Sequence, residues 1–450
     1  MKTSIPNLMP HQKATAAFLS ASTGVRGDFS GMGTGKTRSA LEAALRVGAE
    51  SGLVVVAPPI ALEMWKEEIE RWCGLEVVKA KSGTNPEQGK ACAHVISYSL
   101  IHILAPKLKD KGFGILICDE SHALRNFGSK RTQAIFGADG LATHFNHVWA
   151  LTGTPIVRWN DDIYPFLRNA ASDVLSGKTG SIDEFAFNSR YCLSVSKQFN
   201  QRMRPVMVTC GNRNTNELNG ILFNSGIAIR HELKDVQAHM PPLTIGNSVV
   251  QLKYKDNRSL FHRRSRDIVN EHKSQIVSGN TDNVPGLASL VRELGEAKVS
   301  ESAHFIHECV SQGRGPILVG AWHKSVINET KRALEDLNLD VSVIDGSTAP
   351  KERLLTQERF NAKKTDVLIG QLAAMGTSIN LQHGGHYIVV LERSWSPSVM
   401  DQFYARLYRT GQERSVHIEI LNSNTLIDNL ITKVLDNKRT EHKRVLGNEG

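Results

Sequence analysis

Eight residues near the N-terminus constrain what this chain can fold into more than any other stretch of it. Ser30-Gly-Met-Gly-Thr-Gly-Lys-Thr37 has the spacing of a phosphate-binding loop (P-loop), although Ser30 stands where glycine is usual. Its glycines let the backbone N–H groups turn inward around an anion. Residues 38–46 favour a helix, so the anion would lie at a helix N-terminus. The sequence therefore predicts a nucleoside triphosphate site rather than an ordinary glycine-rich turn.

A carboxylate at the end of another strand is the expected second half of such a site. Asp119 and Glu120 directly follow the apolar run 114–118. We expect Asp119 and the Thr37 hydroxyl to hold Mg²⁺. Lys36 would reach the β- and γ-phosphates, and Glu120 would orient and deprotonate the attacking water. The predicted nucleotide-binding residues of the loop are Gly31, Met32, Gly33, Thr34, Gly35, Lys36 and Thr37. Kinase-type enzymes can carry the same pair of carboxylates, so the reaction class depends on further motifs.

Two series of apolar, β-branched runs alternate with helical patterns along the chain. Helical patterns such as 326–337 and 351–360 separate the later runs. Apolar strands that alternate with helices are typical of parallel sheets, so we predict two α/β domains. The first series covers residues 53–57, 114–118 and 148–151, and the second covers 316–320, 341–344, 366–370 and 387–391.

The stretch from 160 to 286 has a different character. It is richer in Asn, Arg and Ser, and its helical pieces lie near 182–190 and 259–275. We interpret it as a short helical extension of the first domain plus a linker, whose best boundary is the polar segment 280–285. The predicted domains are 1–165, 166–285 and 286–450.

Composition narrows the setting in which the chain works. Its 450 residues carry a formal net charge of +9, which favours polyanionic partners such as nucleic acid. The six cysteines include no Cys-x-x-Cys pair, which suits reduced thiols in a cytosolic protein. No run approaches the roughly 20 apolar residues that a membrane span needs, and the N-terminus does not have the pattern of a signal peptide. We therefore expect no membrane partner.

The acidic pair lies in a longer pattern that resembles a known family. Asp119-Glu-Ser-His122, followed by Ala-Leu-Arg-Asn126, resembles the second motif of helicase superfamily two, and most of all the Asp-Glu-x-His box of its SWI/SNF-type translocases. Other stretches of the first half resemble family motifs in the required order: Met9-Pro-His-Gln12, Ala57-Pro-Pro-Ile-Ala-Leu-Glu-Met-Trp65, Ile96-Ser-Tyr98 and Leu151-Thr-Gly-Thr-Pro155.

The second half continues the series, so the resemblance runs from residue 10 to residue 430. The matching stretches are Val319-Gly-Ala-Trp-His-Lys324, Ile344-Asp-Gly-Ser347 with Arg353 and Phe360, the segment 371–382, Trp395-Ser-Pro397, the segment 402–412 and Thr425-Leu-Ile-Asp428.

The resemblance implies a DNA-dependent ATPase with two RecA-like domains, which acts as a helicase or duplex-DNA translocase and uses ATP and Mg²⁺. It implies that Gln12 reads the adenine base. Gln402, Arg406 and Arg409 are spaced by four and three residues, which would place them on one face of a helix. Arg406 and Arg409 would act as arginine fingers on the γ-phosphate across the cleft between the domains. The predicted catalytic residues are Lys36, Asp119, Glu120, Arg406 and Arg409, and Gln402 joins the nucleotide-binding set.

DNA would be bound through its backbone. The resemblance implies that hydroxyls such as those of Thr377 and Ser378 hold phosphates, so binding to duplex DNA would be independent of sequence and sensitive to salt. The core activity would need only a monomer. The short segment between the two halves suggests a minimal, bacterial or bacteriophage-like member, working in the cytoplasm of a bacterial or phage-infected cell.

Some positions depart from the family pattern, and two other functions stay open. His11 replaces the usual tyrosine, Arg125 takes a lysine position, and residues 373–376 read Ala-Ala-Met-Gly instead of a Gly-Gly-x-Gly run. The alternatives are an RNA helicase with the same chemistry and a non-catalytic scaffold that binds nucleic acid. Trp65 and Trp395 are expected to pack rather than stack on bases. A group of cations would either contact DNA or form a solvated helix face: Lys253, Lys255, Arg258, Arg263, Arg264 and Arg266.

Overall fold

The structure is a computed structural model that describes residues 8–84, 92–198, 206–233, 240–254, 257–277, 281, 284–375 and 379–446. It divides into two compact units, one of Met1–Ala238 with His442–Gly450 and one of His239–Glu441. Each unit contains a parallel sheet with helices, so the predicted class of two α/β domains with parallel sheets is confirmed. The predicted domain limits at 165 and 285 stay predictions.

The first unit is built on seven strands in the order β3-β4-β2-β5-β6-β1-β9. These strands are β1 (Gly24–Asp28), β2 (Leu53–Ala57), β3 (Glu76–Lys79), β4 (Cys92–Ser97), β5 (Ile115–Asp119), β6 (His147–Leu151) and β9 (Ala228–Ile229). Every pairing within the sheet is parallel. Val54 and Val56 face one buried layer and Val55 the other. Because both faces are covered, β2 is apolar along its whole length.

The α-helices of the first unit follow the strands in the alternation that a parallel sheet requires. They span Pro10–Ser20, Lys36–Val47, Leu62–Cys73, Ile101–Leu108, Lys130–Phe136, Tyr164–Ala170, Ser172–Thr179, Glu184–Tyr191 and Thr215–Asn219. A separate antiparallel pair, β7 (Cys192–Lys197) with β8 (Val206–Asn212), lies between the last two helices in the sequence.

The second unit holds six parallel strands in the order β10-β15-β14-β11-β13-β12. Their bounds are β10 (Leu243–Val249), β11 (Ile317–Ala321), β12 (Val341–Ile344), β13 (Val367–Gln371), β14 (Tyr387–Val390) and β15 (Val416–Asn422). The other α-helices in the described residues are Arg258–Val277, Leu287–Ser311, Lys324–Glu335, Pro350–Asn361, Pro397–Tyr404 and Leu426–Leu446. None of the helices in the described part of the chain is long and apolar enough to cross a membrane.

All seven strands predicted from apolar runs form strands with bounds within one residue of those expected. Strand β1 was not predicted, because Gly24-Val-Arg-Gly-Asp28 contains a single large aliphatic residue. Segment 166–285 contains strands as well as the predicted helices. Of these, β9 joins the first sheet and β10 joins the second.

A buried ion pair joins three elements of the second unit. The ammonium of Lys298, on the helix Leu287–Ser311, lies 2.7 Å from Oδ2 of Asp428 and donates to the carbonyl of Leu421 at 2.9 Å. Both charged side chains are 4% exposed. Asp428 lies in the first turn of the helix Leu426–Leu446, and Leu421 lies in β15. If one partner of such a pair is removed, the other charge stays buried without a counter-charge and without water to solvate it.

We therefore expect Lys298→Met to lower the free energy of unfolding by about 3 kcal/mol, because Asp428 keeps its charge and loses its main partner. Urea unfolding followed by circular dichroism measures the change as a lower midpoint. Lys331→Met is the matched control, since Lys331 forms a half-exposed pair with Glu335 and should cost less than about 1 kcal/mol. Equal midpoints for the two variants would show that the buried pair does not stabilise the unit.

Candidate active site

The P-loop leaves the sheet at the end of β1 and enters the helix Lys36–Val47. Gly33 and Gly35 have φ values of 77° and 84°, a backbone conformation that favours glycine. Gly35 is the residue that caps the helix N-terminus. The chain therefore turns sharply enough to present the first helical N–H groups at one point, which is the geometry that binds phosphate.

Lys36 is held against the loop by its own ammonium group. Its Nζ donates to the carbonyl oxygens of Ser30 at 2.9 Å and Gly31 at 3.0 Å. The hydroxyl of Thr34 donates to the same Gly31 carbonyl at 2.9 Å. Met32 lies between these residues in the loop, and Thr37 is the second residue of the helix. Residues 30–37 thus form one hydrogen-bonded turn with a single cation inside it.

The N-terminal helix Pro10–Ser20 packs its first turn on the loop. The ring Nε2 of His11 donates to the carbonyl of Thr34 at 2.8 Å, and Nε2 of Gln12 donates to the same oxygen at 3.5 Å. A Cβ on Gly35 would lie 2.4 Å from Nε2 of Gln12. Only a glycine at position 35 therefore lets the Gln12 amide approach. The structure places the predicted adenine-reading residue beside the predicted phosphate loop.

Asp119 ends β5 and is partly buried there. The indole N–H of Trp65 donates to its Oδ2 at 2.8 Å, and the hydroxyl of Tyr98 donates to its backbone carbonyl at 2.7 Å. Burial and the neighbouring charge of Glu120 raise the pKa of Asp119 to about 6, while the Trp65 hydrogen bond and the Lys36 ammonium act in the opposite direction. The carboxylate is thus close to the loop cation but poorly solvated.

Glu120 follows in a left-handed conformation, with φ 49° and ψ 49°. Its Oε2 lies 3.2 Å from Nδ1 of His122, and that nitrogen also hydrogen-bonds with the hydroxyl of Thr152 at 3.1 Å. A non-glycine residue adopts this conformation at a cost, and such outliers are concentrated at functional sites. The turn carries Glu120 away from β5 and links it, through His122, to the segment that follows β6.

That segment, Leu151-Thr-Gly-Thr-Pro155, also touches the P-loop. The N–H of Thr152 donates to the carbonyl of Asp28 at 3.1 Å. A Cβ on Gly153 would lie 3.1 Å from Cγ of Met32 and 3.6 Å from Nζ of Lys36. The first unit therefore brings together the predicted residues Gln12, 31–37, Asp119 and Glu120.

In the second unit, Gln402 lies on the helix Pro397–Tyr404, but Arg406 and Arg409 do not. The prediction that all three share one helical face is wrong, because the helix ends at Tyr404. Nε of Arg406 donates to the carbonyl of Gln402 at 2.8 Å. If the helix continued, this carbonyl would instead accept the backbone N–H of Arg406. The Arg406 backbone N–H donates instead to the carbonyl of Phe403 at 3.1 Å.

The two arginines have different surroundings. Arg406 is buried, and its Nη1 donates to the carbonyl of Ile379 at 3.1 Å. Arg409 lies at the edge of the turn and hydrogen-bonds through Nη1 with the side chain of Asn380. Burial lowers the pKa of Arg409. Both therefore lie against the segment 379–380, which follows the predicted phosphate-binding hydroxyls; Thr377 and Ser378 themselves lie outside the described residues.

Other family-like stretches of the second unit are joined by one network. Arg353 donates to the carbonyls of Thr348 and Ala374, both at 2.9 Å, and of Asp345 at 2.5 Å. Oε1 of Gln371 accepts a hydrogen bond from the backbone N–H of Gly346 at 2.9 Å. The Asp-Gly-Ser stretch and the start of segment 371–382 are therefore fixed together.

A buried carboxylate holds the stretch after β11. Glu392 accepts hydrogen bonds from the backbone N–H groups of Trp322 and His323, at 2.8 and 2.9 Å, and from Nδ1 of His323 at 2.7 Å. Among the tryptophans, Trp65 is fully buried and Trp395 packs on the core, as predicted. Of the group of cations, Arg264 pairs with Glu293 at 3.0 Å, whereas Arg258, Arg263 and Arg266 are exposed; Lys255 lies outside the described residues.

Comparison with known proteins identifies the family. A model described as the SNF2-related domain matches residues 29–296, which is more than half of the chain, and one described as the helicase conserved C-terminal domain matches residues 301–411. The chain belongs to the SNF2-related family. The SWI/SNF-type resemblance read from the motifs is confirmed, and membership of this family of ATP-dependent helicases implies the use of ATP.

The SNF2-related relatives are distant and longer. The chain is 25% identical over 99% of its length to the SWI/SNF-related matrix-associated actin-dependent regulator of chromatin subfamily A-like protein 1 of Xenopus tropicalis, of which it covers 45%. It is 25% identical over 93% of its length to the putative ATP-dependent helicase/translocase YwqA of Bacillus subtilis, of which it covers 46%. It is 26% identical over 96% of its length to the DNA annealing helicase and endonuclease ZRANB3 of Bos taurus, of which it covers 40%. The chain thus spans less than half the length of these relatives.

Among solved structures, the Sulfolobus solfataricus SWI2/SNF2 ATPase core in complex with dsDNA is 18% identical to this SNF2-related chain. The match covers 99% of this chain and 94% of that one, with a TM-score of 0.44.

Several contacts of the site could not be predicted from the sequence. Trp65 was predicted as core only, yet its indole bonds Asp119, which is 54 residues away. The Tyr98 hydroxyl and the His122–Thr152 pair are likewise long-range partners. Their residues lie inside family-like stretches, so a signal existed for their importance. Nothing in the spacing indicates which atoms they contact.

We expect Trp65→Phe to move the acidic limb of the ATPase profile to higher pH. The indole N–H stabilises the charged form of Asp119, whose pKa is about 6, so its loss raises that pKa further. Because a hydrogen bond to a charged group contributes about 1.5 kcal/mol or more, the limb in kcat/KM for ATP should shift by about one pH unit. The measurement is the initial rate of ATP hydrolysis between pH 5 and 9.

Trp149→Phe is the matched control. Trp149 is fully buried in the same apolar cluster, and its indole nitrogen has no hydrogen-bond partner within the described structure. It should lower stability as Trp65→Phe does but leave the acidic limb in place. Identical pH profiles for the two variants would mean that the Trp65 contact does not tune Asp119.

Proposed function

We propose that this chain is a DNA-stimulated ATPase that couples ATP hydrolysis to movement along duplex DNA, as a translocase, remodeller or helicase, and that it works as a monomer. The observation that carries the proposal is the partly buried Asp119 carboxylate, which lies next to Glu120 and within electrostatic reach of Lys36. Withdrawing these charges from water costs free energy, and a non-catalytic scaffold would gain nothing from them in return.

DNA as the partner is supported by the relatives and by charge. ZRANB3 is named a DNA annealing helicase, and the formal net charge of this chain is +9. Contacts to backbone phosphates would make binding independent of sequence. We also propose a bacterial or phage-infected cell as its setting, since YwqA and an uncharacterized ATP-dependent helicase of Mycoplasma pneumoniae are bacterial relatives.

Mg²⁺ fits the residues present. Asp119 and Glu120 supply adjacent carboxylates, and the raised pKa of Asp119 indicates a poorly compensated negative charge that a divalent cation would stabilise. Thr37 adds a hydroxyl oxygen, and hard oxygen donors are what Mg²⁺ prefers. When bound, the ion would neutralise charge on the phosphate oxygens.

The chain's own residues divide the remaining work. The N–H groups around Gly33 and Gly35 would bind the phosphates, and Lys36 would leave the loop carbonyls to meet them. Gln12 would bind the adenine. Glu120 would take a proton from the attacking water, while His122 and Thr152 tie its position to segment 151–155.

The primary test measures ATP hydrolysis without nucleic acid and with duplex DNA, single-stranded DNA or RNA. Duplex DNA should raise the rate most, and its effect should weaken strongly between about 50 and 200 mM salt, because phosphate contacts release counterions. No stimulation by any nucleic acid would refute the motor. A preference for RNA would favour the RNA helicase, and tight DNA binding without ATP turnover would favour the scaffold.

Two variants should separate nucleotide binding from hydrolysis. Lys36→Ala should lose nucleotide binding, because its cation meets the phosphates. Glu120→Gln should bind ATP but lose about 100-fold or more in kcat, because general base catalysis contributes that much. Fluorescence titration and steady-state rates measure the two effects. Lys66→Ala and Glu70→Gln are controls on a partly exposed pair and should match the unmodified protein; a Glu120→Gln rate near that level would remove the proposed base.

Arg409→Ala tests the proposed arginine finger. We expect kcat to fall by about 1,000-fold, because such a guanidinium stabilises charge on the transferring phosphoryl group. DNA and nucleotide binding should persist. The half-exposed Arg359, which pairs with Asp340, provides the control Arg359→Ala. Near-normal turnover in Arg409→Ala would exclude the role; Arg406→Ala is less informative, because Arg406 holds backbone carbonyls.

A further inference from the structure

Strand β9 does not stop pairing where the P-loop begins. Parallel strands pair through evenly spaced N–H donors on alternate residues. Here the ladder runs out of β1 and into the loop: Gly27 donates to the carbonyl of Ile227 at 2.9 Å, Phe29 to that of Ile229 at 2.9 Å, and Gly31 to that of His231 at 2.8 Å. Residues 227–232, here called the clasp, therefore lie along the first turn of the P-loop.

The return bond of this ladder is made by a side chain. The N–H of His231 donates to Oγ of Ser30 at 3.1 Å. The carbonyl of Phe29 accepts a bond from Nη1 of Arg230 at 2.6 Å. Ser30 is only 2% exposed, so water does not replace its hydroxyl easily. Glycine, the usual residue at this position, has no side-chain atom that could accept from His231.

The clasp acts on the peptide groups that hold Lys36. The carbonyls of Ser30 and Gly31 both accept from Nζ of Lys36, while the N–H of Gly31 and the hydroxyl of Ser30 are bonded to the clasp. A Cβ on Gly31 would lie 3.4 Å from Oε2 of Glu232, an ordinary van der Waals distance, so the clasp leaves room for little more than one added carbon atom there. The Gly31 N–H and the Ser30 carbonyl belong to the same planar peptide group, so the bond from the N–H to the clasp fixes the direction in which that carbonyl meets Lys36.

We propose that Ser30 is a positioning residue for nucleotide binding, through which the clasp sets the orientation of the first turn of the P-loop. The proposal rests on the nucleotide site argued above. Ser30 touches neither the phosphates nor the water in this scheme. Ser30 replaces the usual glycine of the motif, and its side chain is bonded by His231, which lies 201 residues further along the chain.

The test compares Ser30→Ala and Ser30→Gly with the unmodified protein. Both variants lose the side-chain acceptor of the partly buried His231 N–H, so we expect about three- to tenfold weaker binding of a fluorescent ADP derivative and a similar rise in KM for ATP. The value of kcat should change by less than about twofold, because the catalytic groups are untouched. Ser302→Ala is the control, since Ser302 is fully buried and its hydroxyl has no partner within the described structure.

The outcomes are separable. If the unmodified protein binds ADP and hydrolyses ATP while both Ser30 variants match it in affinity and KM, the clasp has no positioning role and the ATPase proposal stands. A fall in kcat at unchanged KM would also overturn positioning. If the unmodified protein neither binds nor hydrolyses nucleotide, the ATPase proposal fails and the positioning role fails with it. Ser30→Gly keeps the test valid if Ser30→Ala is unstable, because glycine is the usual residue there.

Discussion

The negative charge of Asp119 is the constraint on which the arrangement of the first unit depends. A carboxylate that is partly withdrawn from water at the end of a central strand is stabilised by donors and a cation nearby. Trp65 and Tyr98 supply two hydrogen bonds, one to the carboxylate and one to the backbone. The sheet order supplies the cation: β6 is the single strand between β5 and β1, so the P-loop and Lys36 emerge at the same edge as Asp119. The segment after β6 lies between them in that order, which explains why Thr152 bonds both Asp28 and His122.

The second unit meets the same constraint with different residues. Lys298 and Asp428 compensate each other inside the core, and Glu392 receives three donors from two consecutive residues. In each case the buried charge fixes a stretch that the family resemblance singles out. Trp322 and His323 are fixed by Glu392, and residues 425–428 by the Lys298 pair. These contacts give structural reasons for residues that take no direct part in phosphate chemistry.

The sequence predicted the strands well because buried parallel strands are apolar throughout. It missed other strands, among them β1, β3, β10 and β15, whose residues are not apolar throughout. It also failed where the helix Pro397–Tyr404 ends: the spacing of Gln402, Arg406 and Arg409 suits a helix, yet the Arg406 side chain takes the carbonyl that would continue it. For the site, the loop and the carboxylates could be located from the sequence. Their hydrogen-bond partners could not be predicted. Trp65, for example, is 54 residues from Asp119, and the spacing of residues does not show which side chains meet.

Ser30 shows how far a motif can be interpreted on its own. Viewed within the loop, serine in place of glycine looks like a neutral change, since the turn tolerates both. Viewed with β9, the same hydroxyl accepts a hydrogen bond from a partly buried backbone N–H, and loss of that bond would cost free energy. His11, the other departure at this site, bonds the Thr34 carbonyl and lies with its ring 5.8 Å from that of His231. Two unusual residues of the nucleotide site therefore meet the same distant segment, which indicates that loop and clasp are adjusted to each other as one unit.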